Sequence, residues 1–177
     1  RRHDDSWLYL ESLSTNLVSN KYINGILVFC RDVTERKKAE EALRVSEENF
    51  RNIFNNAIEG IYQTTPEGSF INVNPAYAKT FGYPTPEDIM REVTDLGRQL
   101  YANPPDREKL ISMFNDQDNV EGFEAEGVCR DGTRRWISIN ASAIRCPAGK
   151  LKYITGTIID ITERKLAERA LAQSHEA

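Results

Sequence analysis

Histidine and cysteine are scarce in this chain, which has two histidines and three cysteines among 177 residues. The histidines are His3 and His175, near the two ends. The cysteines are Cys30, Cys129 and Cys146, and they lack the short spacing of a metal site. An odd number of scattered cysteines predicts reduced thiols, as in a cytoplasmic protein, with neither a disulfide framework nor a zinc site.

Long apolar runs and an excess of positive charge are also missing. No apolar stretch approaches the roughly 18 residues that a membrane-spanning helix requires, and no signal-peptide pattern opens the chain. The sequence therefore predicts a soluble, cytoplasmic segment, although the parent protein could be anchored in a membrane elsewhere. The net charge is −4 and there is no basic stripe. This argues against nucleic acid as a partner, because phosphate binding needs clustered Lys and Arg.

Catalytic signatures are absent or misplaced. No glycine-rich phosphate loop, nucleotide-binding box or paired acid and base is visible. The stretch 41–43 spells the short Glu-Ala-Leu signature of cyclic-dinucleotide phosphodiesterases, but it lies in a charged, helix-like segment. The stretch 174–176, Ser-His-Glu, is similar to the start of a histidine-kinase phosphoacceptor box, yet Ala177 follows where Leu-Arg-Thr-Pro would continue it. The chain itself is therefore not predicted to be an enzyme.

One run of residues occurs twice. DVTERKKAEEAL begins at Asp32 and DITERKLAERAL begins at Asp160. The similarity extends backwards, and Trp7 aligns with Trp136 if one residue of slippage is allowed in the loop. Each copy has the pattern of a strand, a turn, a second strand rich in Ile, Val and Thr, and a charged helix. Because an isolated two-stranded hairpin is marginal in water, the first copy is interpreted as the end of a preceding domain.

Turn and capping residues between the two copies predict a hairpin followed by short helices. TPEGS has turn chemistry and stands between the strands GIYQT and FINVN. Asn74 and Pro75 suit the start of a helix that ends near Gly82. Thr85 suits a second start, with Asp88 placed to complete a capping box.

The remaining pattern completes an α+β domain. A longer amphipathic helix is predicted from the spacing of Leu110, Ile111, Met113 and Phe114. Asp131-Gly132 is a strong hairpin signal, and CPAGK turns the chain into a last strand near 152–161. The order is two strands, several short helices and three antiparallel strands, so helices are expected to cover one face of a sheet.

These residues resemble a PAS domain with its C-terminal PAC motif. The resemblance is carried by GSFINVNPAYAKTFGYPTPEDI, by RDGTRRWISINASAI and by the exit run D-I-T-E-R-K. It covers about Glu47 to Glu163 as a complete unit and Arg2 to Glu35 as the tail of another. It implies the PAS fold, a five-stranded antiparallel sheet with short helices over one face and a long N-terminal linker helix. It also implies a place in a bacterial or archaeal multi-domain sensor, such as a sensor histidine kinase of a two-component system or a cyclic-dinucleotide signalling enzyme.

The resemblance leads to a division of the chain and to a function. Residues 1–33 are the terminal hairpin of a preceding PAS domain, 34–56 a linker helix with coiled-coil character, 57–162 a complete PAS domain and 163–177 the start of an exit helix. The expected function is sensing and signal relay, from a ligand or an upstream domain to a downstream output domain. Two alternatives remain: a structural dimerisation module whose closed core binds nothing, and a fragment adjoining a histidine kinase or diguanylate cyclase catalytic domain.

The D-x-T-E-R runs are candidate joints. Asp160 and Thr162 end the last strand where a helix must begin, so either side chain can accept from the free N–H groups of the first turn. Glu163 adds negative charge at the positive end of the helix dipole. The motif is either a helix cap alone or, as the resemblance implies, a joint that couples sheet distortion to helix movement. The first copy repeats it with Asp32, Thr34 and Glu35.

The helix after the first joint has heptad spacing. Its predicted seam consists of Ala39, Leu43, Ser46, Phe50, Ile53 and Ala57. The second copy repeats the start of this pattern with Ala167 and Leu171. The pattern favours a parallel homodimer through the linker helix, and docking of the helix on its own sheet is the alternative.

An apolar interior is predicted beneath the helices, either as a closed core or as a small-molecule pocket. Its predicted lining is Ile61, Phe70, Val73, Tyr77, Phe81, Ile89, Leu110, Phe114, Ile139 and Ile158. The alternation of WISINASAI is assigned with Ile137, Ile139 and Ala141 inward. Trp136 then faces the linker helix or a dimer partner.

The cofactor, if there is one, is not identified by the sequence. Haem-binding relatives carry a histidine on the long helix before the third strand, and the stretch 106–117 has none. Flavin photoreceptors need a reactive cysteine that 91–106 lacks. Histidine-ligated haem and cysteinyl-flavin photochemistry are therefore not expected, which leaves a metabolite, a noncovalent flavin or no ligand.

Overall fold

The computed structural model describes residues 7–175, and the side chains of 7–173. His3, the side chain of His175 and the end of the Ser-His-Glu stretch lie outside the described part. The chain divides into two compact units, Arg1–Asn52 and Ile53–Ala177. Within the described range, no helix is both long and apolar enough to cross a membrane.

The first unit contains a hairpin and most of a long helix. Strand β1 (Leu10–Leu17) pairs antiparallel with β2 (Gly25–Asp32) in an unbroken register. Helix α1 (Thr34–Asn56) follows directly and extends to the start of the second unit. Its surface carries ion pairs at helical spacing, among them Arg36–Glu40 at 3.0 Å and Arg44–Glu48 at 2.5 Å. Such pairs support an exposed helix that buries little apolar surface of its own.

The second unit is an α+β domain built on one antiparallel sheet. Its strands are β3 (Gly60–Thr64), β4 (Phe70–Val73), β5 (Asn119–Val128), β6 (Arg134–Arg145) and β7 (Leu151–Asp160), in the order β4-β3-β7-β6-β5. Four helices lie between β4 and β5 in the chain: α2 (Pro75–Thr80), α3 (Pro86–Glu92), α4 (Leu96–Gln99) and α5 (Pro104–Met113). Helix α6 (Thr162–His175) leaves the sheet after β7. The predicted fold class is confirmed, while α4, which is capped by Asp95, was not predicted.

Local capping explains where the short helices begin. The Asn74 side chain accepts from Tyr77 N and Pro75 is the first residue of α2, as predicted. Thr85 Oγ1 accepts from Asp88 N at 3.1 Å, so Thr85 caps α3. The Asp88 carboxylate accepts from the Thr85 hydroxyl at 2.8 Å, which differs from the reciprocal backbone bond of a capping box.

Alternation along the strands decides which side chains the helices cover. Ile137, Ile139 and Ala141 of β6 are buried, as predicted, and their neighbours are half-buried. Gly156 on β7 allows a close strand approach, because an added Cβ would lie 2.1 Å from the carbonyl oxygen of Asn140. Core residues therefore come from one sheet face and from the inner sides of α2–α5.

Candidate functional site

The exit from the sheet is held by side chains of the second D-x-T run. Asp160 Oδ1 accepts from Thr162 N at 2.9 Å, at the first residue of α6. The Thr162 hydroxyl accepts from Trp136 N at 3.0 Å, and Ile161 N donates to Trp136 O at 2.8 Å. Asp160 therefore caps the helix, whereas Thr162 ties the helix start to the beginning of β6. This corrects the expectation that either side chain could serve as the cap.

The charge of Asp160 is stabilised at this joint. Its Oδ2 lies 2.6 Å from Arg135 Nη1. Partial burial raises the pKa of Asp160, but the hydrogen bonds from Thr162 and the Arg135 guanidinium outweigh that effect and hold the pKa below its ordinary value. The carboxylate form is thus the one that the joint uses at neutral pH.

The first D-x-T run makes the same joint. Asp32 Oδ1 accepts from Thr34 N at 2.9 Å, and the buried Thr34 hydroxyl accepts from Tyr9 N at 2.9 Å. Val33 N donates to Tyr9 O at 2.9 Å, as Ile161 N does to Trp136 O. Tyr9, not Trp7, is therefore the structural counterpart of Trp136. The alignment on the tryptophans was wrong by two residues. A shift of two residues keeps every side chain on the same face of a strand, so the alternation of apolar residues did not reveal the error.

Exit helix α6 is further fastened to the outer side of the sheet. The ammonium of Lys165 and the guanidinium of Arg169 lie 5.5 and 5.6 Å from the centre of the Trp136 ring. Glu124 of β5 pairs with both Arg164 and Lys165. The hydrogen bond from Lys165 is the main reason that the pKa of Glu124 is lowered. Trp136 faces outward, and its described ring contacts are with the exit helix.

A second connection joins the end of α1 to the sheet. The fully buried Asn74 donates from Nδ2 to the carbonyl oxygens of Phe54 and Glu59, at 3.1 and 2.9 Å. Its Oδ1 accepts from Ile61 N and Tyr77 N, at 2.8 and 2.9 Å. One amide thus links the last turn of α1, strand β3 and helix α2. The N-cap role was predicted, but the other three bonds span 13 to 20 residues and were not.

The seam residues lie on an exposed side of α1. Leu43, Phe50 and Ile53 are 62%, 61% and 71% exposed, and Ala39 and Ser46 are exposed as well. Ala57, predicted to end the seam, is half-buried and lies one residue beyond the helix. The seam on α1 is therefore one position shorter than predicted.

The predicted lining residues form most of the interior. The buried ones are Val73, Tyr77, Phe81, Ile89, Leu110, Phe114, Ile139 and Ile158, and Phe70 packs against them while partly buried. Ile61 is half-buried and lies outside this cluster, because Gly60, Tyr62 and Thr64 are the inward residues of β3. A register error of one residue reverses every side chain of a strand, and GIYQT has one apolar residue on each face, Ile61 and Tyr62, which could not decide it.

Little free space remains among these residues. A cavity of about 10 Å³ is lined by Tyr62, Tyr77, Tyr101 and Arg107 together with apolar side chains, which is room for no more than one water. A larger cleft of about 570 Å³ lies outside it, between the β3–β4 turn and helices α4 and α5. Tyr62, Tyr101 and Arg107 were missed by sequence reasoning.

In the described part of the chain, no set of side chains is assembled for metal binding or for thiol chemistry. No group of three or more His, Cys, Asp or Glu side chains there could hold a metal ion. Cys129 is buried, Cys146 is half-buried, Cys30 is exposed, and all three are free thiols.

The fold is a five-stranded antiparallel sheet with helices over one face, preceded by α1 and followed by α6. The PAS fold family matches residues 48–161, and the chain belongs to this family. PAS domains are sensory modules of multidomain signal-transduction proteins such as sensor kinases, and they are not themselves catalytic.

Known proteins with similar sequences are sensors. The chain is 32% identical over 154 residues to the methyl sulfide methyltransferase-associated sensor of Methanosarcina acetivorans, covering 86% of this chain. It is 25% identical over 136 residues to the sensor histidine kinase TmoS of Ectopseudomonas mendocina, covering 75% of this chain. In both cases the match spans 14% of the relative's length.

Solved structures show the same fold. The sensory box histidine kinase/response regulator from Burkholderia thailandensis is 26% identical with a TM-score of 0.53, covering 72% of this chain and 95% of that one. The PAS domain of an HTR-like protein from Haloarcula marismortui is 17% identical with a TM-score of 0.58, covering 71% and 99%.

Proposed function

We propose that this chain relays signals within a multi-domain sensor. Its PAS domain couples a ligand or an upstream conformational change to a downstream output domain, through the joints Asp32-Thr34-Glu35 and Asp160-Thr162-Glu163. The observation that carries the proposal is the repetition of the same three hydrogen bonds at both joints. The same connector with the same hydrogen bonds is expected wherever a domain must transmit its movement to the helix that follows it.

We further propose that residues 1–33 are the terminal hairpin of a preceding PAS domain, 34–56 the linker, 57–162 the complete PAS domain and 163–177 the start of the exit helix. Matching the two joints pairs Leu10 with Ile137 and Ile26 with Ile154. Ile137 and Ile154 are buried in the second unit, whereas Leu10 and Ile26 are 57% and 65% exposed. The hairpin thus carries apolar residues at the positions that helices cover in a complete PAS domain, which supports this division.

Homodimerisation through α1 is part of the same proposal. Large apolar side chains at Leu43, Phe50 and Ile53 repeat at heptad spacing along the helix. Burying such a seam against a second copy would keep two linkers parallel and in register. Both flanking domains would then be paired as well.

A structural module with a closed core is the second candidate. The interior cavity of about 10 Å³ favours it, because no metabolite or flavin fits in that space. In this case the domain passes on an upstream signal and senses nothing itself.

The relay is tested by changing the phase of α1 in the full-length parent. Each residue turns a helix by about 100°, whereas seven residues nearly restore the seam. Inserting one residue between Lys38 and Ala39 should uncouple output from input, and inserting seven should largely preserve the coupling. Output activity of the parent is the measurement. Equal output from both insertions would refute a relay that depends on the phase of α1.

A further inference from the structure

Arg107 is a buried cation in the second unit. Its side chain is 6% exposed, and it is the only Asp, Glu, Lys or Arg among the described residues that is classed as buried. Helix α4 covers its aliphatic stem, since a Cβ added to Gly97 would lie 3.2 Å from Arg107 Cγ. Arginine is seldom buried unless it is paired, so this position calls for a counter-ion.

The described residues do not supply that counter-ion. No carboxylate of the described part forms an ion pair with Arg107, and its Nε is buried without a hydrogen-bond partner. Nη2 makes two long contacts, of 3.4 Å each, to Thr64 Oγ1 and to the carbonyl oxygen of Thr65. The Tyr101 hydroxyl is also hydrogen-bonded to Arg107. These partners are uncharged, and 3.4 Å exceeds the usual length of such a bond. The guanidinium therefore keeps unused capacity for an acceptor with negative charge.

Other hydrogen-bond donors lie around the same side chain. Tyr62, Tyr77 and Tyr101 line the small cavity with Arg107. Burial raises the pKa of all three tyrosines, so their hydroxyls remain protonated and able to donate. On this inner side Arg107 thus meets neutral hydroxyls and no carboxylate of the described residues.

Arg107 also lines the outer cleft. At about 570 Å³ the cleft can hold a molecule of several heavy atoms, whereas the inner cavity cannot. Its rim carries three carboxylates, Glu67, Asp95 and Glu108, and one further cation, Arg98. Asp95 and Arg98 already pair with each other at 3.4 Å. The remaining rim charge is negative, which disfavours a second anionic group on a ligand and tolerates a neutral or ammonium-bearing end.

We propose that Arg107 anchors the carboxylate of a small monocarboxylate, such as a short carboxylic acid or an amino acid, that enters through this cleft. The carboxylate accepts from Arg107 and supplies the missing counter-charge, while the rest of the ligand lies between the β3–β4 turn and α5. This inference rests on the proposed sensory function and names its ligand class. Binding would connect the β3–β4 turn to helix α5. It would therefore alter the arrangement of sheet and helices that the two joints transmit.

The test compares carboxylates with their amides on the whole chain. Isothermal titration calorimetry is run with propionate and propionamide, with L-alanine and L-alaninamide, and with succinate and inorganic phosphate. Propionate or L-alanine should bind at least about tenfold more tightly than its own amide, because the amide lacks the charge that Arg107 pairs with. Succinate and phosphate should bind more weakly than the better monocarboxylate.

Variants assign the binding to Arg107. Arg107→Gln should weaken binding of the better monocarboxylate about tenfold or more. The matched control is Arg98→Gln, since Arg98 lines the same cleft with 85% of its side chain exposed, and binding should change by less than about threefold. Circular dichroism checks that both variants fold. If Arg107→Gln does not fold, the comparison of each acid with its amide on the unchanged chain still decides the proposal.

Three results would overturn the inference: equal binding of acids and amides, including no binding of either; equal losses in the two variants; or phosphate or succinate as the tighter ligand. None of these bears on the insertion experiment. A chain that binds no carboxylate but is sensitive to linker phase loses only the ligand assignment. A chain that binds carboxylate but is insensitive to phase loses only the relay.

Discussion

At the scale of single residues, the Asn74 side chain holds several parts of the domain together. Its amide makes four hydrogen bonds, to backbone groups of Phe54, Glu59, Ile61 and Tyr77. Asn74 itself is fully buried, and its bonds to Phe54 and Tyr77 are buried too, so truncation would leave backbone groups without partners. The last turn of α1 is therefore tied to the domain by this amide as well as by the buried Phe54.

Asn74→Ala is expected to lower the free energy of unfolding by about 3 kcal/mol or more, because buried polar groups left unpaired are costly. Urea denaturation followed by circular dichroism measures it. Asn72→Ala is the control: Asn72 lies two residues earlier on β4, is only half-buried, and its replacement should cost less than about 1 kcal/mol. Similar losses in both variants would show that the Asn74 bonds are not structurally important.

At the scale of elements, the joint between β7 and α6 determines how firmly the exit helix starts. Asp160→Ala removes the cap and should cost about 1 kcal/mol, little for the domain but much for one helix. Hydrogen exchange of amides from Glu163 onward should then accelerate about fivefold, with the sheet amides unchanged. Asp131→Ala is the control, because Asp131 accepts from Thr133 N in a surface turn in the same manner. Uniform acceleration throughout the sheet would contradict a separate joint.

The same joint has a predictable pH dependence. The pKa of Asp160 is lowered in the folded state from its ordinary value of 3.8. A lowered pKa means that the stabilisation is complete above the unfolded-state pKa and is lost as pH falls through the folded-state pKa. Exchange rates in α6, corrected for the intrinsic pH effect, should therefore rise below about pH 4. Asp160→Asn should remove most of that rise, and an equal rise in this variant would assign it to other groups.

At the scale of the whole molecule, the α1 seam predicts the oligomeric state. Leu43→Glu places like charges opposite each other in a parallel dimer and should weaken dimerisation about tenfold or more. Val45→Glu is the matched control, because Val45 is an exposed apolar residue on the opposite side of α1. Sedimentation velocity over a concentration series measures both. An unchanged equilibrium in Leu43→Glu would mean that the seam does not hold two copies together.

Patterns confined to a few neighbouring residues were sufficient to predict much of this protein from its sequence. Turn and capping residues placed the hairpins and helices α2 and α3, since their hydrogen bonds span two to four residues. Apolar spacing placed α5. Alternation along β6 identified its buried face. The repeated D-x-T-E-R runs located both strand-to-helix joints, and the order of elements predicted an α+β domain. The PAS fold was implied by the resemblance of sequence stretches to that family.

Only the tertiary structure decided which distant groups meet. The Thr34 and Thr162 hydroxyls accept from Tyr9 N and Trp136 N, 25 and 26 residues away, so spacing along the chain could not separate their role from that of the aspartates. Tyr62 is inward because β3 pairs between β4 and β7, a register that one apolar residue on either face could not specify. Arg107 becomes buried because α4 packs over its stem and β3 ends beside its guanidinium. From composition alone, an arginine is expected at the surface, because removing its charge from water costs free energy. Here the packing of the surrounding elements encloses it.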